Sequence, residues 1–128
     1  DLVRSSVTFT LSAHVENLTL LGKANLNATG NELANVLTGN GGRNLLDGGL
    51  GADVLVGGGG GDTFRFGAAL GPDNVDRIVL FNHTGDTIQL DDTIFAALGT
   101  GALSAGAFNL GAMASQADDR ILFDTASK

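Results

Sequence analysis

The sequence predicts an all-β chain assembled from stacked short strands, and three observations lead there. Gly48-Gly49-Leu50-Gly51-Ala52-Asp53-Val54-Leu55-Val56 runs directly into Gly57-Gly58-Gly59-Gly60-Gly61-Asp62-Thr63-Phe64-Arg65, and both read G-G-x-G-x-D-x-U-x, with U a large apolar residue. Two earlier units keep the same phase. The apolar position then reads Leu37, Leu46, Leu55 and Phe64, and the polar position two before it reads Asn35, Asn44, Asp53 and Asp62, always nine residues apart. Twelve of the 20 glycines fall within residues 30–65; without the phased apolar residues that stretch would read as a flexible linker. Each x-U-x segment is expected to form a short strand with U pointing inward, and the glycine-rich segments form the turns between strands.

The elements follow in order. Residues 7–11 alternate apolar and polar side chains, which predicts a half-buried strand, and Val15 and Leu18 continue its core face. Leu18-Thr19-Leu20-Leu21-Gly22 and Leu26-Asn27-Ala28-Thr29-Gly30 sit eight apart, one residue short of the repeat, and read as rungs without a ligand loop. The four units occupy residues 30–65. Beyond Phe66 the rhythm stops. Residues 77–81 predict a strand, 82–86 a turn, and 87–90 a second strand. Asp91 or Asp92 caps an expected short helix over 93–98 that Gly99 ends. Residues 102–110 stay open between a helical turn and a strand near Phe108, and 119–123 predict a last strand. Pro72 marks a loop. The chain therefore divides into strands and degenerate rungs (1–29), repeats (30–65) and a post-repeat cap (66–128), all within one domain.

Composition narrows the function. Twelve of the 14 acidic residues are Asp, and only Glu16 and Glu32 are Glu. A merely solubilising surface would use both. Short carboxylates in turns suit cation coordination. A formal net charge of -7 argues against nucleic acid and against an anionic membrane surface. With no cysteine, disulfides and thiolate zinc sites are excluded. No apolar stretch approaches the ~18 residues of a membrane span. The first residues lack the basic-then-apolar layout of a signal peptide, and the chain begins in mid-pattern, so a fragment of a longer protein is expected. His14 and His83 stand at no metal spacing, and H-E-x-x-H and G-x-S-x-G are absent.

The chemistry of the repeats points to Ca²⁺, which takes six to eight oxygen ligands at about 2.3–2.6 Å and tolerates irregular geometry. Glycines let carbonyl oxygens converge, and the Asp supplies a carboxylate. The region resembles the RTX (hemolysin-type) calcium-binding repeat family. That resemblance implies a right-handed parallel β-roll with two nonapeptides per turn, closed by a small C-terminal capping region of strands and a short helix. It also implies ions held between loops eighteen residues apart. Loop 30–35 would pair with 48–53, and loop 39–44 with 57–62. The implied metal-ligating positions are Gly30, Glu32, Asn35, Gly39, Gly41 and Asn44 in the first loops. In the second loops they are Gly48, Gly49, Leu50, Gly51, Asp53, Gly57, Gly58, Gly59, Gly60 and Asp62. Asn35 and Asn44 stand where the family carries Asp, and Leu33 where it carries Gly. Each pair thus has one carboxylate instead of two, which moves the expected affinity toward ~10⁻⁴–10⁻³ M. A third site is expected on the far side of loop 48–53, with Asp73, Asp76 and Asp86 as candidates. Asp76-Arg77-Ile78-Val79-Leu80-Phe81, with Gly85-Asp86-Thr87-Ile88 after it, resembles the family's post-repeat D-x-I-x-D-F…G-x-D-x-I segment, but Leu80 replaces its second Asp.

The same resemblance implies a non-catalytic module of a protein exported by type I secretion from a Gram-negative bacterium. It would stay loose where calcium is scarce and fold outside the cell. Its partners would be calcium ions and, through the parent protein, the secretion apparatus. An exposed edge could also self-associate weakly. The parent protein could be an enzyme, namely a protease, lipase or carbohydrate-active enzyme. An adhesin or glycan-binding role is the remaining class, although the chain has no Trp or Tyr to stack on a sugar.

Overall fold

The computed structural model describes residues 1–69 and 71–91, together with the backbone of residues 108–110 and 121–123. Its strands are β1 (Leu2–Ser5), β2 (Phe9–Thr10), β3 (Asn17–Leu20), β4 (Asn27–Thr29), β5 (Val36–Thr38), β6 (Leu45–Asp47), β7 (Val54–Val56), β8 (Thr63–Phe66), β9 (Arg77–Val79), β10 (Thr87–Leu90), β11 (Phe108–Leu110) and β12 (Ile121–Phe123). The described residues contain no helix. The helix expected over 93–98 lies outside them.

The chain alternates between two sheets. One has the order β1-β3-β5-β7-β9 and the other β10-β8-β6-β4-β2, and every pairing within them is parallel. This is a β-solenoid, or roll. Within the repeats each strand pairs with the strand eighteen residues on, as the nonapeptide period requires. Parallel partners lie about 4.8 Å apart, so each turn of the roll repeats its inward side chain directly over the last. β11 and β12 pair with each other, also in parallel.

Three-residue strands leave one inward position each. In the first sheet Leu18, Leu37 and Leu55 are in register and fully buried. In the second, Ala28, Leu46 and Phe64 do the same. The core is therefore two facing columns of side chains, closed by Leu11, Leu20 and Leu26 and flanked by Val3, Phe9, Val15, Phe66, Ile78 and Phe81. Phe81 packs its ring 6.0 Å from that of Phe64. On the outer faces, Arg65 bridges Asp47 at 2.6 Å and Asp91 at 3.1 Å across neighbouring strands.

Two places differ from the sequence reading. The inward residue of β4 is Ala28, although Leu26 is the larger apolar residue, because Leu26 belongs to the loop ahead of the strand and fills the core from there. β9 and β10 pair with β7 and β8 and so add a further turn to the roll at the start of the segment expected to cap it. Their separations from those partners, 23 and 24 residues at the ligand positions, hide this from any nine-residue count.

Candidate metal centre

Alternation between sheets stacks the loops on two edges. One edge carries loops 11–16, 30–35, 48–53 and 67–76; the other carries 21–26, 39–44, 57–62 and 80–86. On each edge the polar position of the repeat forms a column held by backbone hydrogen bonds. The N–H of Asn35 donates to Asp53 Oδ1 at 2.8 Å, and the N–H of Asp53 donates to Asp76 Oδ1 at 3.1 Å. On the other edge the N–H of Asn44 donates to Asp62 Oδ1 at 2.8 Å, and the N–H of Asp62 donates to Asp86 Oδ1 at 2.9 Å. Asp76 and Asp86, which the sequence offers only as candidates, are thus brought into the two columns. Asp73 is exposed in loop 67–76, outside its column.

The second oxygens of the two repeat carboxylates are the notable atoms. Asp53 and Asp62 are each 1% exposed, and Asp53 Oδ2 and Asp62 Oδ2 are buried without a hydrogen-bond partner. Burying a carboxylate oxygen unpaired is costly. Its absent partner would be a positive charge, and no basic side chain among the described residues supplies one at either atom. Burial pushes the carboxyls of Asp53 and Asp62 up from their ordinary range. Asp76 is pushed up to about 6, by burial first and then by the nearby Asp53 charge. Such an acidic, desolvated column fits a hard divalent cation bound by oxygen. Asn74 Oδ1, in loop 67–76, is a further buried acceptor without a partner.

The backbone is shaped for the same end. Gly49, Gly51, Gly58 and Gly60 have φ between 91° and 106°, a region closed to ordinary side chains. They lie directly over carbonyls of the preceding loop. A Cβ on Gly51 would come within 2.4 Å of Leu33 O, and one on Gly60 within 2.5 Å of Gly42 O. Among the described residues no three His, Cys, Asp or Glu side chains converge as a cage. The carbonyls that face the second loops are those of Asn31, Leu33, Asn40 and Gly42. In the first loops the sequence expectation named Gly30, Glu32, Gly39 and Gly41, and the Glu32 side chain is exposed.

The first loops differ in kind. Asn35 Oδ1 and Asn44 Oδ1 occupy the places of the orphaned Asp oxygens, but each accepts an N–H from its own loop, that of Asn31 or Asn40, at 2.8 Å. Sequence reasoning passed over Asn31 and Asn40. Their signal was present: G-N-x-x-x-N occurs twice, nine residues apart.

Residues 29–64 match the family profile of the RTX calcium-binding nonapeptide repeat, in four copies. No curated protein and no solved structure matches the chain. The four copies span the strands from Thr29 to Phe64, with the glycine turns and the ligand columns between them. Residues 29–64 are therefore RTX calcium-binding nonapeptide repeats, a structural calcium-binding unit and not a catalytic one.

Proposed function

We propose that this chain is the calcium-dependent folding module of a larger secreted protein, and that residues 48–91 hold its ions. The observation that carries this reading is the pair of buried, partnerless oxygens, Asp53 Oδ2 and Asp62 Oδ2, each beside a second carboxylate of its column. Calcium would be held by Asp53 and Asp76 on one edge and by Asp62 and Asp86 on the other, with the carbonyls of the glycine loops completing the shell. The ion neutralises charges that otherwise repel within the roll, so its binding free energy becomes folding free energy. In a compartment poor in calcium the acidic turns stay loose, which suits export by a type I secretion apparatus. Extracellular calcium then closes them. The module stabilises its parent protein and performs no chemistry itself.

Calorimetry and far-UV circular dichroism on chelator-stripped protein, titrated with Ca²⁺ and with Mg²⁺ as control, test this reading. The expected result is binding of Ca²⁺ with dissociation constants at or below ~10⁻³ M and a gain of β signal. Mg²⁺, which demands octahedral geometry, should do neither. Asp53→Asn with Asp62→Asn should weaken calcium binding at least about tenfold, the loss expected when one charged ligand goes from each site. Binding that survives this double substitution would remove the assignment to residues 48–91.

A further inference from the structure

We propose that the first two ligand loops, 30–35 and 39–44, hold no cation against the loops that precede them, 11–16 and 21–26, and that asparagine amides take the ion's structural place there. In a calcium loop, carbonyl oxygens converge on a shared positive charge. Here the carbonyls of loops 11–16 and 21–26 converge instead on amide hydrogens of the next loop. Asn31 Nδ2 donates to Ser12 O and Val15 O, each at 2.8 Å. Asn40 Nδ2 donates to Leu21 O and Ala24 O, each at 3.0 Å. Asn35 Nδ2 reaches Val15 O at 3.2 Å and Glu16 O at 3.3 Å, and Asn44 Nδ2 reaches Leu26 O at 3.0 Å. All these acceptors belong to the preceding loop on the same edge.

The orientation of each amide is fixed by its surroundings. An amide flips to suit its partners, but backbone N–H groups can only donate and carbonyls only accept. Asn35 Oδ1 and Asn44 Oδ1 meet the N–H of Asn31 and Asn40. Asn31 Oδ1 and Asn40 Oδ1 meet the N–H of Leu33 and Gly42 at 2.9 and 2.8 Å. Each pair then locks together, with Asn35 Nδ2 and Asn44 Nδ2 donating to Asn31 Oδ1 and Asn40 Oδ1 at 3.0 Å. None of the four amides is left with a buried orphan, in contrast to Asp53 and Asp62. A cation between these loops and the preceding ones would have to displace N–H₂ groups already aimed at the carbonyls it needs. The donor set in that gap does not fit an ion, although both loops lie within the calcium-binding repeats.

The consequence is a roll in two parts. Residues 17–47 are ordered without calcium, and β5 and β6 offer finished edges. The Asp rungs, 48–91, stack on that template when calcium arrives. Only this last step rests on the proposed function.

Hydrogen–deuterium exchange on the full chain, in chelator and in millimolar Ca²⁺, tests the two parts separately. The amide of Val36, bonded to Glu16 O, should be protected in chelator and unchanged by calcium. The amides of Arg77 and Thr87, bonded to Asp53 O and Asp62 O, should gain protection only with calcium. Loss of Val36 protection on chelation overturns the inference. Protection of every one of these amides in chelator leaves the amide cage standing and sinks the calcium reading of 48–91. Asn35→Asp with Asn44→Asp gives an independent arm, because it turns N–H₂ donors into oxygens that face carbonyls. Protection of Val36 in chelator should fall about tenfold to a hundredfold, the effect of breaking buried hydrogen bonds, and calcium should restore it. A double variant as protected in chelator as the parent chain overturns the inference.

Discussion

Loops 30–35 and 48–53 stand one above the other on the same edge of the roll and end at equivalent positions, yet they solve the same problem in opposite ways. The first is closed from within. Asn31 and Asn35 satisfy each other and the carbonyls below, and neither residue has positive φ. The second is open. Gly49 and Gly51 turn the backbone into the left-handed region, and the N–H of Gly49 is drawn to Asp47 Oδ1 at 3.1 Å, not to Asp53. Asp53 Oδ2 is left bare. The lesson is that a nonapeptide rung needs something to gather its oxygens, and a neutral amide or an ion can do it. On the proposed reading, the amide makes the rung unconditional and the carboxylate makes it conditional on an external cation.

The sharpest way to break this comparison is to empty the core beneath each loop. Leu37 and Leu55 are register partners, both fully buried. Leu37→Ala should cost about 2–5 kcal/mol, as core truncations do, with or without calcium. Leu55→Ala should cost a similar amount in calcium and, on the proposed reading that its rung forms only with calcium, almost nothing in chelator. Urea denaturation of both variants under both conditions measures this. Equal losses in chelator would show the two regions to be one cooperative unit.

A second contrast is in pH. In the calcium-free folded protein burial pushes the Asp76 carboxyl up to about 6, against about 3.9 in an unfolded chain. The folded state holds the proton more tightly, so this group's contribution to stability is fully present below about pH 4 and is lost as pH rises through 6. Burial raises Asp53 and Asp62 in the same direction. Acidifying chelated protein from pH 7 to 5 should therefore increase the order of residues 48–91 and leave 17–47 unchanged. Calcium affinity should fall over the same interval, because proton and ion compete for one carboxylate. Exchange rates and titrations at three pH values suffice, and an affinity indifferent to pH would remove Asp76 from the site.

The smallest effect concerns Leu80, in the loop that ends at Asp86. It has φ of 59° and is 67% exposed, so it bears left-handed strain without burying its side chain. The glycine-rich loops avoid this cost. Leu80→Gly should raise the melting temperature in calcium by the equivalent of about 0.5 kcal/mol, since relief of strain is partly offset by glycine's greater freedom when unfolded. A lower melting temperature would mean that Leu80 packs usefully despite its exposure.

Legibility in the sequence followed the period. Leu37, Leu46, Leu55 and Phe64 were readable as one inward residue per strand because their spacing never varies. Ala28 was not, since, although it lies nine residues before Leu37, it is small and the larger Leu26 two positions earlier masks it. β1 was not foreseen, because Leu2-Val3-Arg4-Ser5 does not alternate and its partner Asn17 lies out of phase with the repeat. The strands β9 and β10 were legible as strands. Their place in the two sheets was not, since loops of unequal length break the count while the edge of the sheet still accepts any strand with free donors and acceptors.

What the sequence determined by itself was the repeat, the two-faced character of its strands and the choice of Asp over Glu at the turns. These are local properties, set by spacing and by side-chain length. Only the tertiary structure decided that Asp76 and Asp86 complete columns begun by Asn35 and Asn44. It alone showed that Asn31 and Asn40 close their loops from within. Both outcomes depend on which loops lie above one another, and that stacking is created by parallel pairing between strands distant in the chain. A hydrogen bond spans about 3 Å of space whatever the distance along the chain.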